Sequence, residues 1–214
     1  ADMVADGWLG DMQCAAAMKE TQHICFEIFA SGGFRHLGNA RGIVKHPKDM
    51  KGLKMRVTKS PIEYTLIKTW GAIPVPYDWT QLYQGLQTGV VQGQYVQVPW
   101  QRIAKLHEVT KYYTETGGSW GGNHISMDLK QYNKLSDQEK AWLKEAMTEY
   151  ADMARASDQA WVKEIIAKMK TEVTDWYKPN DKEMAAWRQG AVGAWKKAKG
   201  TYPGDLAQRA LAEQ

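Results

Sequence analysis

The chain has 214 residues, 43% of them apolar and 24% charged, which is typical of a globular protein with one large domain or two modest ones. Its net charge of +4 comes from 28 basic and 24 acidic residues that are well mixed along the sequence. So small a surplus excludes a nucleic-acid-binding signature and mildly favours a small anionic ligand. The sequence has no apolar run of about 18 residues, so it predicts no membrane-spanning helix.

The first part of the chain predicts a helix followed by a strand. Residues 5–19 have a helical pattern, and "HICFEIFA" (23–30) predicts a strand that "SGG" (31–33) interrupts. The two cysteines, Cys14 and Cys25, match neither C-x-x-C nor a zinc-binding spacing. They would pair in an oxidising compartment only if their backbone geometry allowed it, which spacing alone does not show.

Next come a short helix, a strand and a capped helix. "HPKDMKG" (46–52) has proline in a first-turn position and glycine in a C-cap position, and it leads into the strand "LKMRV" (53–57). A second helix follows, with Ser60 as N-cap and Glu63 as the reciprocal acceptor of a capping box. This helix is predicted to run to about Trp70.

Strands and helices then continue to alternate. "IPVPY" (73–77) predicts a strand, Asp78 caps a helix that ends at Gly89, and "VVQGQYVQV" (90–98) returns as a strand. This alternation over residues 53–98 predicts parallel βαβ units in an open α/β sheet. In such sheets ligands bind outside the carboxyl ends of the strands, close to helix N-termini.

The last third of the chain is predicted to be mostly helical. "SDQE" (136–139) is a capping box that opens a helix to about Lys170, long enough that we expect a kink or break near Ser157. The remaining predicted elements are a strand within "TEVTDWYKP" (171–179), a helix over 181–199, and a short final helix after Pro203-Gly204.

Motifs for catalysis are missing from the sequence. It has no G-x-S-x-G nucleophile elbow, and its five histidines are scattered without H-E-x-x-H or an i, i+4 pair. The segment "GGFRHLGNARG" is rich in glycine but lacks G-x-G-x-x-G order and a Walker lysine. We therefore predict no catalytic residue, no metal site and no cofactor.

Arg56 and Arg35 are the residues whose chemistry points to a ligand. Either could be an exposed surface residue. However, Arg56 lies in a strand that a βαβ unit covers on both faces, where a cation is costly unless it sits at the strand end and meets an anion. The planar guanidinium suits that role, since it binds a carboxylate through two charge-assisted hydrogen bonds. These residues alone predict an α/β domain that binds a small anion.

Three longer motifs make the prediction more specific. "GFRHLGNARG…HPKDMKGLKMRV", "LYQGLQTGVVQGQ" and "LSDQEKAWLKEAM" together resemble the solute-binding proteins of tripartite ATP-independent periplasmic (TRAP) transporters, the DctP family. The resemblance runs from about Gly33 to the C-terminus. It implies an α/β, periplasmic-binding-protein-like fold of two lobes, with a hinge and a long helix bridging them.

The resemblance also implies how the chain is divided. The family's folds begin with further strands and helices of the first lobe, so we expect the first lobe to be incomplete in this chain. We expect residues 1–32 to be a remnant of the first lobe and residues 33–120 to form the βαβ core of the second lobe. Residues 121–160 would return to the first lobe. Residues 161–214 would comprise the end of the long helix and C-terminal helices that pack on the second lobe.

The function that the resemblance implies is non-catalytic binding in the periplasm. Family members bind a small organic acid, usually a carboxylate, and deliver it to the small and large membrane subunits of the transporter. We expect the protein itself not to be membrane-embedded, and we expect no nucleic acid among its partners. The alternatives are a periplasmic carboxylate sensor or scavenger with the same fold, and an α/β enzyme acting on a small anion.

The family's ligand-binding positions map onto this sequence one by one. Arg56 matches the arginine that forms the carboxylate salt bridge, Arg35 matches the "GFR" arginine, and Trp79 falls on the pocket aromatic. The family's "VDGQEN" reads "VQGQYV" here, so that Val96 replaces an asparagine that usually bonds the ligand. This loss of a polar group favours a less polar substrate, such as an aromatic or branched monocarboxylate or a keto acid.

Two further candidates come from "GSWGGNH", which aligns with a returning strand that faces the cleft. Trp120 and Asn123 there would contact the ligand, or else serve in wall packing and in a turn. The complete set of predicted ligand-binding residues is Arg56, Arg35, Trp79, Val96, Gln94, Tyr95, Asn123 and Trp120.

Overall fold

The computed structural model describes residues 7–200 and 206–212. The chain divides into two compact units. The first unit comprises Ala1–Gly33 and Trp120–Ile165, and the second comprises Phe34–Ser119 and Ile166–Gln214. The strand that begins at His23 and the helix that begins at Asp137 each contribute residues to both units.

The predicted helices and strands occur in the predicted order, and the structure adds elements between residues 98 and 132 that the sequence pattern did not predict. The strands are β1 (His23–Asn39), β2 (Lys54–Val57), β3 (Ile73–Pro76), β4 (Gly93–Gln97), β5 (Tyr112–Thr114), β6 (Trp120–Asp128) and β7 (Asp175–Tyr177). The α-helices are α1 (Trp8–Thr21), α2 (Pro61–Thr69), α3 (Leu82–Gln87), α4 (Val98–Ile103), α5 (Leu129–Tyr132), α6 (Asp137–Glu172), α7 (Asp181–Lys197) and α8 (Leu206–Ala212). Short 3-10 helices cover Pro47–Met50, Trp79–Gln81 and Leu106–Glu108. Pro203-Gly204, predicted to precede the last helix, lies outside the described residues.

In the first unit, α1 is joined to β1 by a disulfide between Cys14 and Cys25. The sequence left this pairing open. Strand β6 pairs with β1. The predicted interruption of β1 at "SGG" is wrong, because the strand continues through Gly32 and Gly33 with φ angles of 82° and 69°. Glycine adopts such angles without the steric cost of a Cβ atom.

Helix α6 begins at the predicted capping box. The Ser136 hydroxyl accepts a hydrogen bond from the Glu139 amide at 3.3 Å, and the Glu139 carboxylate accepts one from the Ser136 amide at 2.7 Å. The predicted break near Ser157 is wrong, since the helix continues without interruption to Glu172. The Ser157 hydroxyl instead donates to the Ala154 carbonyl within the same helix at 3.1 Å, so the residue is accommodated without ending it.

In the second unit, the strands lie in the order β3-β2-β4-β1-β5-β7. Strand β2 is parallel to both β3 and β4, which confirms the predicted βαβ units. The β1 strand is antiparallel to β4 and β5, so the sheet is mixed rather than parallel throughout. The long preceding strand thus enters the middle of the sheet, a pairing that local sequence patterns do not encode.

Helices α2 and α7 cover the core of this unit through two tryptophans. The Trp70 and Trp187 rings meet edge to face with centroids 5.0 Å apart, and Trp70 meets Tyr95 of β4 in the same way at 5.3 Å. The indole N–H of Trp70 donates to the Trp187 carbonyl, and that of Trp187 donates to the Lys45 carbonyl, each at 3.2 Å. Both buried indoles therefore have partners, as stable burial of tryptophan requires.

Gly93 opens β4 where the chain leaves no room for a side chain. A Cβ atom there would lie 2.6 Å from the Met55 sulfur, 2.8 Å from the Gly38 carbonyl oxygen and 2.9 Å from the Asn39 Cβ. The Gly38 and Asn39 neighbours belong to the paired strand β1, so they cannot move away without breaking the ladder. The close packing of β2, β4 and β1 therefore depends on this glycine.

We expect Gly93→Ala to lower the free energy of unfolding by about 2–3 kcal/mol, because overpacking a tight core forces backbone shifts. Gly193→Ala in α7 is the matched control. Its new Cβ would lie 3.5 Å from Thr69, an ordinary contact, and alanine favours a helix over glycine. Urea denaturation of both variants measures the difference, and equal stabilities would contradict the packing argument.

His36 of β1 is a half-buried imidazole in the second unit. Its Nδ1 atom accepts a hydrogen bond from the Gly117 amide at 3.3 Å. Burial lowers the pKa of His36 from 6.5 to about 4, partly opposed by the Glu115 carboxylate and assisted by the Lys170 ammonium. The side chain is therefore neutral in the folded protein at pH 7.

This depressed pKa makes folding stability depend on pH. As the pH falls from about 6.5 to about 4, the unfolded chain binds a proton at His36 that the folded chain does not bind, so stability falls across this window. We expect His36→Gln to remove up to about 3 kcal/mol of that decline, in thermal or urea unfolding followed against pH. His124→Gln, at an exposed position, is the control, and an unchanged slope in His36→Gln would contradict the assignment.

Candidate functional site

Arg56 is a buried cation near the carboxyl end of β2. The residue is only 6% exposed, and its Nε atom donates a hydrogen bond to the Tyr77 carbonyl at 3.0 Å. Within the described residues no carboxylate lies within ion-pair distance of its guanidinium. Burial lowers the pKa of Arg56, Glu63 raises it, Arg35 lowers it and Asp78 raises it. A buried guanidinium with free N–H groups is suited to binding an anion.

The Trp79 ring, which follows the end of β3, lies against the Arg56 guanidinium. It lies just beyond β3, and its ring centroid is 5.6 Å from the Arg56 Cζ atom, which is the distance range of a cation–π contact. The residue is 39% exposed, so part of its apolar surface is accessible. Because β2 and β3 are parallel, their carboxyl ends bring these two residues to the same edge of the sheet.

Glu63 supplies a buried carboxylate beside the two arginines. One carboxylate oxygen forms an ion pair with Nη1 of Arg35 at 3.2 Å. The other accepts hydrogen bonds from the Thr58 amide at 3.1 Å and from the Thr58 hydroxyl. The predicted capping box is therefore only half present, since the Ser60 hydroxyl accepts from the Glu63 amide at 3.4 Å while the carboxylate binds Thr58 and Arg35.

The three predicted residues of β4 lie in the interior of the second unit. Gln94 is fully buried, and its amide donates to the Gln101 side chain at 2.7 Å and to the Thr110 hydroxyl at 3.1 Å. Tyr95 packs against Trp70, and burial raises its pKa to about 12. Val96 is buried as well. In this conformation the Gln94 and Tyr95 side chains make structural contacts.

The two remaining candidates belong to the first unit. Trp120 opens β6 and is half-buried, while Asn123 is exposed and donates a hydrogen bond to the Ser31 hydroxyl at 3.0 Å. The structure therefore brings together Arg56, Arg35 and Trp79 within the second unit. It also adds a residue that the sequence identified only as a helix cap, Glu63.

Sequence reasoning missed the electrostatic position of Glu63, although one signal was available. A glutamate at the third position of a helix that starts five residues after Arg56 is within reach of the same strand end. The Tyr77 carbonyl, by contrast, has no signal in the sequence, because any residue type would supply it.

Two negative findings concern the described part of the chain. Its histidine, cysteine, aspartate and glutamate side chains form no group of three or more placed to hold a metal ion. Among the same residues, no helix combines the length and the apolar character needed to cross a membrane.

Comparison with solved structures matches the architecture to known proteins. The structure of a TRAP periplasmic solute-binding protein from Chromohalobacter salexigens, with bound D-glucuronate, superposes with a TM-score of 0.89 at 23% identity, over 99% of this chain and 69% of that one. A TRAP periplasmic solute-binding protein from Bordetella bronchiseptica, with density attributed to pantoate, gives a TM-score of 0.85 at 30% identity, over 97% of this chain and 67% of that one. The fold is thus that of two-lobed TRAP periplasmic binding proteins, as predicted.

Sequence comparison leads to the same group. The 2,3-diketo-L-gulonate-binding periplasmic protein of Escherichia coli is 30% identical over 135 residues, which cover 62% of this chain and 40% of that protein. This chain spans about two fifths of the length of such curated relatives. The model of the family described as bacterial extracellular solute-binding protein, family 7 (DctP) matches residues 2–201. The chain therefore belongs to the DctP family of extracellular solute-binding proteins.

Proposed function

We propose that this chain is the part of a periplasmic TRAP solute-binding protein that holds the ligand carboxylate. The ligand is a small organic acid bound through Arg56, and the protein delivers it to the small and large membrane subunits of the transporter. The observation that carries the proposal is the burial of the Arg56 guanidinium without a carboxylate partner among the described residues. The family membership supports transport as the context, and it does not favour the alternative of an α/β enzyme.

The energetics of Arg56 support its role as the anchor. Removing a guanidinium from water is costly unless hydrogen bonds and an opposite charge compensate for it. Tyr77 compensates only at Nε, and no carboxylate of the described residues pairs with the two terminal nitrogens. A ligand carboxylate would accept hydrogen bonds from the terminal nitrogens of the guanidinium. It would also bring the missing negative charge. Arg35 would reinforce the same carboxylate from β1.

Trp79 supports a ligand with an apolar body. Its partly exposed ring lies against Arg56, so a carboxylate held by the guanidinium would place its adjoining carbon atoms next to the indole. Val96, where an asparagine is usual in the family, adds no polar group. We therefore favour a branched or aromatic monocarboxylate, or a keto acid. Pantoate and 2,3-diketo-L-gulonate, named for the Bordetella and Escherichia coli relatives, are consistent with an organic acid.

We expect Arg56→Ala to weaken carboxylate binding by about 3–5 kcal/mol, or at least a hundredfold in Kd, because a ligand carboxylate would lose its partner in a buried pair. Thermal-shift screening of the full-length protein against organic acids identifies a ligand, and titration calorimetry then measures the affinity. Arg56→Lys keeps the charge but lacks the planar fork, so we expect an intermediate loss.

Arg188→Ala is the matched control for this experiment, because Arg188 is an exposed arginine on α7. We expect it to bind the ligand with unchanged affinity. Equal affinities for Arg56→Ala and Arg188→Ala would contradict the proposed anchor.

Trp79→Ala tests the apolar part of the site. We expect it to weaken binding of branched or aromatic acids by about 1–2 kcal/mol while acetate-sized acids are less affected, because the variant removes ring surface rather than the anchor. Trp79→Phe should retain most of the affinity. Calorimetry across an acid series measures the effect, with the exposed Trp142→Ala as control. An equal loss for all acids would argue against ring contact with the ligand body.

A further inference from the structure

The surroundings of Arg56 contain a small set of charges. Besides Arg56 itself, the charged groups whose fields act on it are Glu63, Arg35 and Asp78. Glu63 is buried and forms an ion pair with Arg35 at 3.2 Å, whereas Asp78 is exposed to solvent. Solvent screens an exposed charge much more strongly than a buried one. The buried and partly buried part of the cluster thus has two positive charges and one negative charge.

Glu63 is held firmly in this arrangement. The Thr58 amide and hydroxyl both donate to one of its oxygens, and Arg35 donates to the other. The carboxylate also lies in the first turn of α2, where the helix dipole favours a negative charge. These contacts hold the Glu63 carboxylate next to Arg35.

We propose that Glu63 makes this anchor selective for ligands with a single carboxylate, by neutralising one of the two arginines. The inference rests on the proposed function, since it requires that a carboxylate binds at Arg56. One bound carboxylate brings the buried charges to zero. A dicarboxylate whose second group reaches the same cluster would leave an excess negative charge beside the buried Glu63 carboxylate, and like charges at low dielectric repel strongly.

Replacing Glu63 by glutamine should therefore change selectivity rather than only affinity. Glutamine keeps the size of the side chain and an oxygen that accepts from the Thr58 amide, but it has no charge. No carboxylate of Glu63 then compensates the positive charge of Arg35, so the cluster can hold two ligand carboxylates. We expect the ratio of dicarboxylate to monocarboxylate affinity to rise by about tenfold or more relative to the parent protein.

The experiment compares acids of equal chain length in the full-length protein at fixed ionic strength. The probes are butyrate with succinate, and 2-oxopentanoate with 2-oxoglutarate, each measured by titration calorimetry. Asp78→Asn is the matched control, because it also removes one negative charge near Arg56 but at an exposed position. We expect it to change the affinity ratio by less than about threefold, since solvent screens that charge.

A second variant separates the charge effect from damage to the fold. In the double variant Glu63→Gln/Arg35→Gln the net buried charge returns to that of the parent, so we expect its dicarboxylate-to-monocarboxylate ratio to return towards the parent's value. Thermal unfolding of all variants confirms that they are folded. A double variant that keeps the full shift of Glu63→Gln would overturn the charge explanation.

The outcomes distinguish this inference from the proposed function. If the parent binds a monocarboxylate in an Arg56-dependent manner and Glu63→Gln leaves the ratio unchanged, the selectivity role of Glu63 is wrong while the anchor stands. If no carboxylate binds in an Arg56-dependent manner, both fail. A shift in Glu63→Gln that Asp78→Asn lacks and the double variant reverses supports the role.

Discussion

The candidate site in the second unit depends on one buried guanidinium, that of Arg56, near the carboxyl end of β2. Arg56 loses solvation by burial, and the protein compensates only in part, through the Tyr77 carbonyl, the Trp79 ring and the field of Glu63. An isolated buried charge would be too costly to keep, and a fully paired one would have nothing left to offer a ligand. The intermediate arrangement is compatible with a stable fold, and under the proposed function it leaves the guanidinium able to bind an anion.

The rest of the second unit keeps this arrangement in place. Strand β2 is fixed on both sides by parallel partners, and the absence of a side chain at Gly93 lets β4 approach β2 and β1 closely. The interlocked Trp70 and Trp187 rings hold α2, and with it Glu63, against the core. A site built on packed strands and a capped helix is more precisely positioned than one built on loops.

Local patterns predicted much of this fold. Capping residues such as Ser60 and Ser136 identified helix starts because their hydrogen bonds involve neighbours in sequence. The predicted interruption at residues 31–33 failed where a distant residue contributed to the outcome. The strand continues through Gly32 and Gly33, whose φ angles suit it, with the Gly32 amide donating to Asp158 at 2.6 Å, and no local pattern near the glycines reveals that distant partner.

The sequence by itself determined the family, the βαβ segment and the position of Arg56 at a strand end, because these depend on residue order and on periodicity. Only the tertiary structure decided which candidates lie together. It placed Gln94 and Tyr95 in interior contacts. It also showed that the Glu63 carboxylate, predicted to cap a helix, instead pairs with Arg35. The physical reason is that charge neutralisation and burial depend on distances between side chains far apart in sequence, which no linear pattern records.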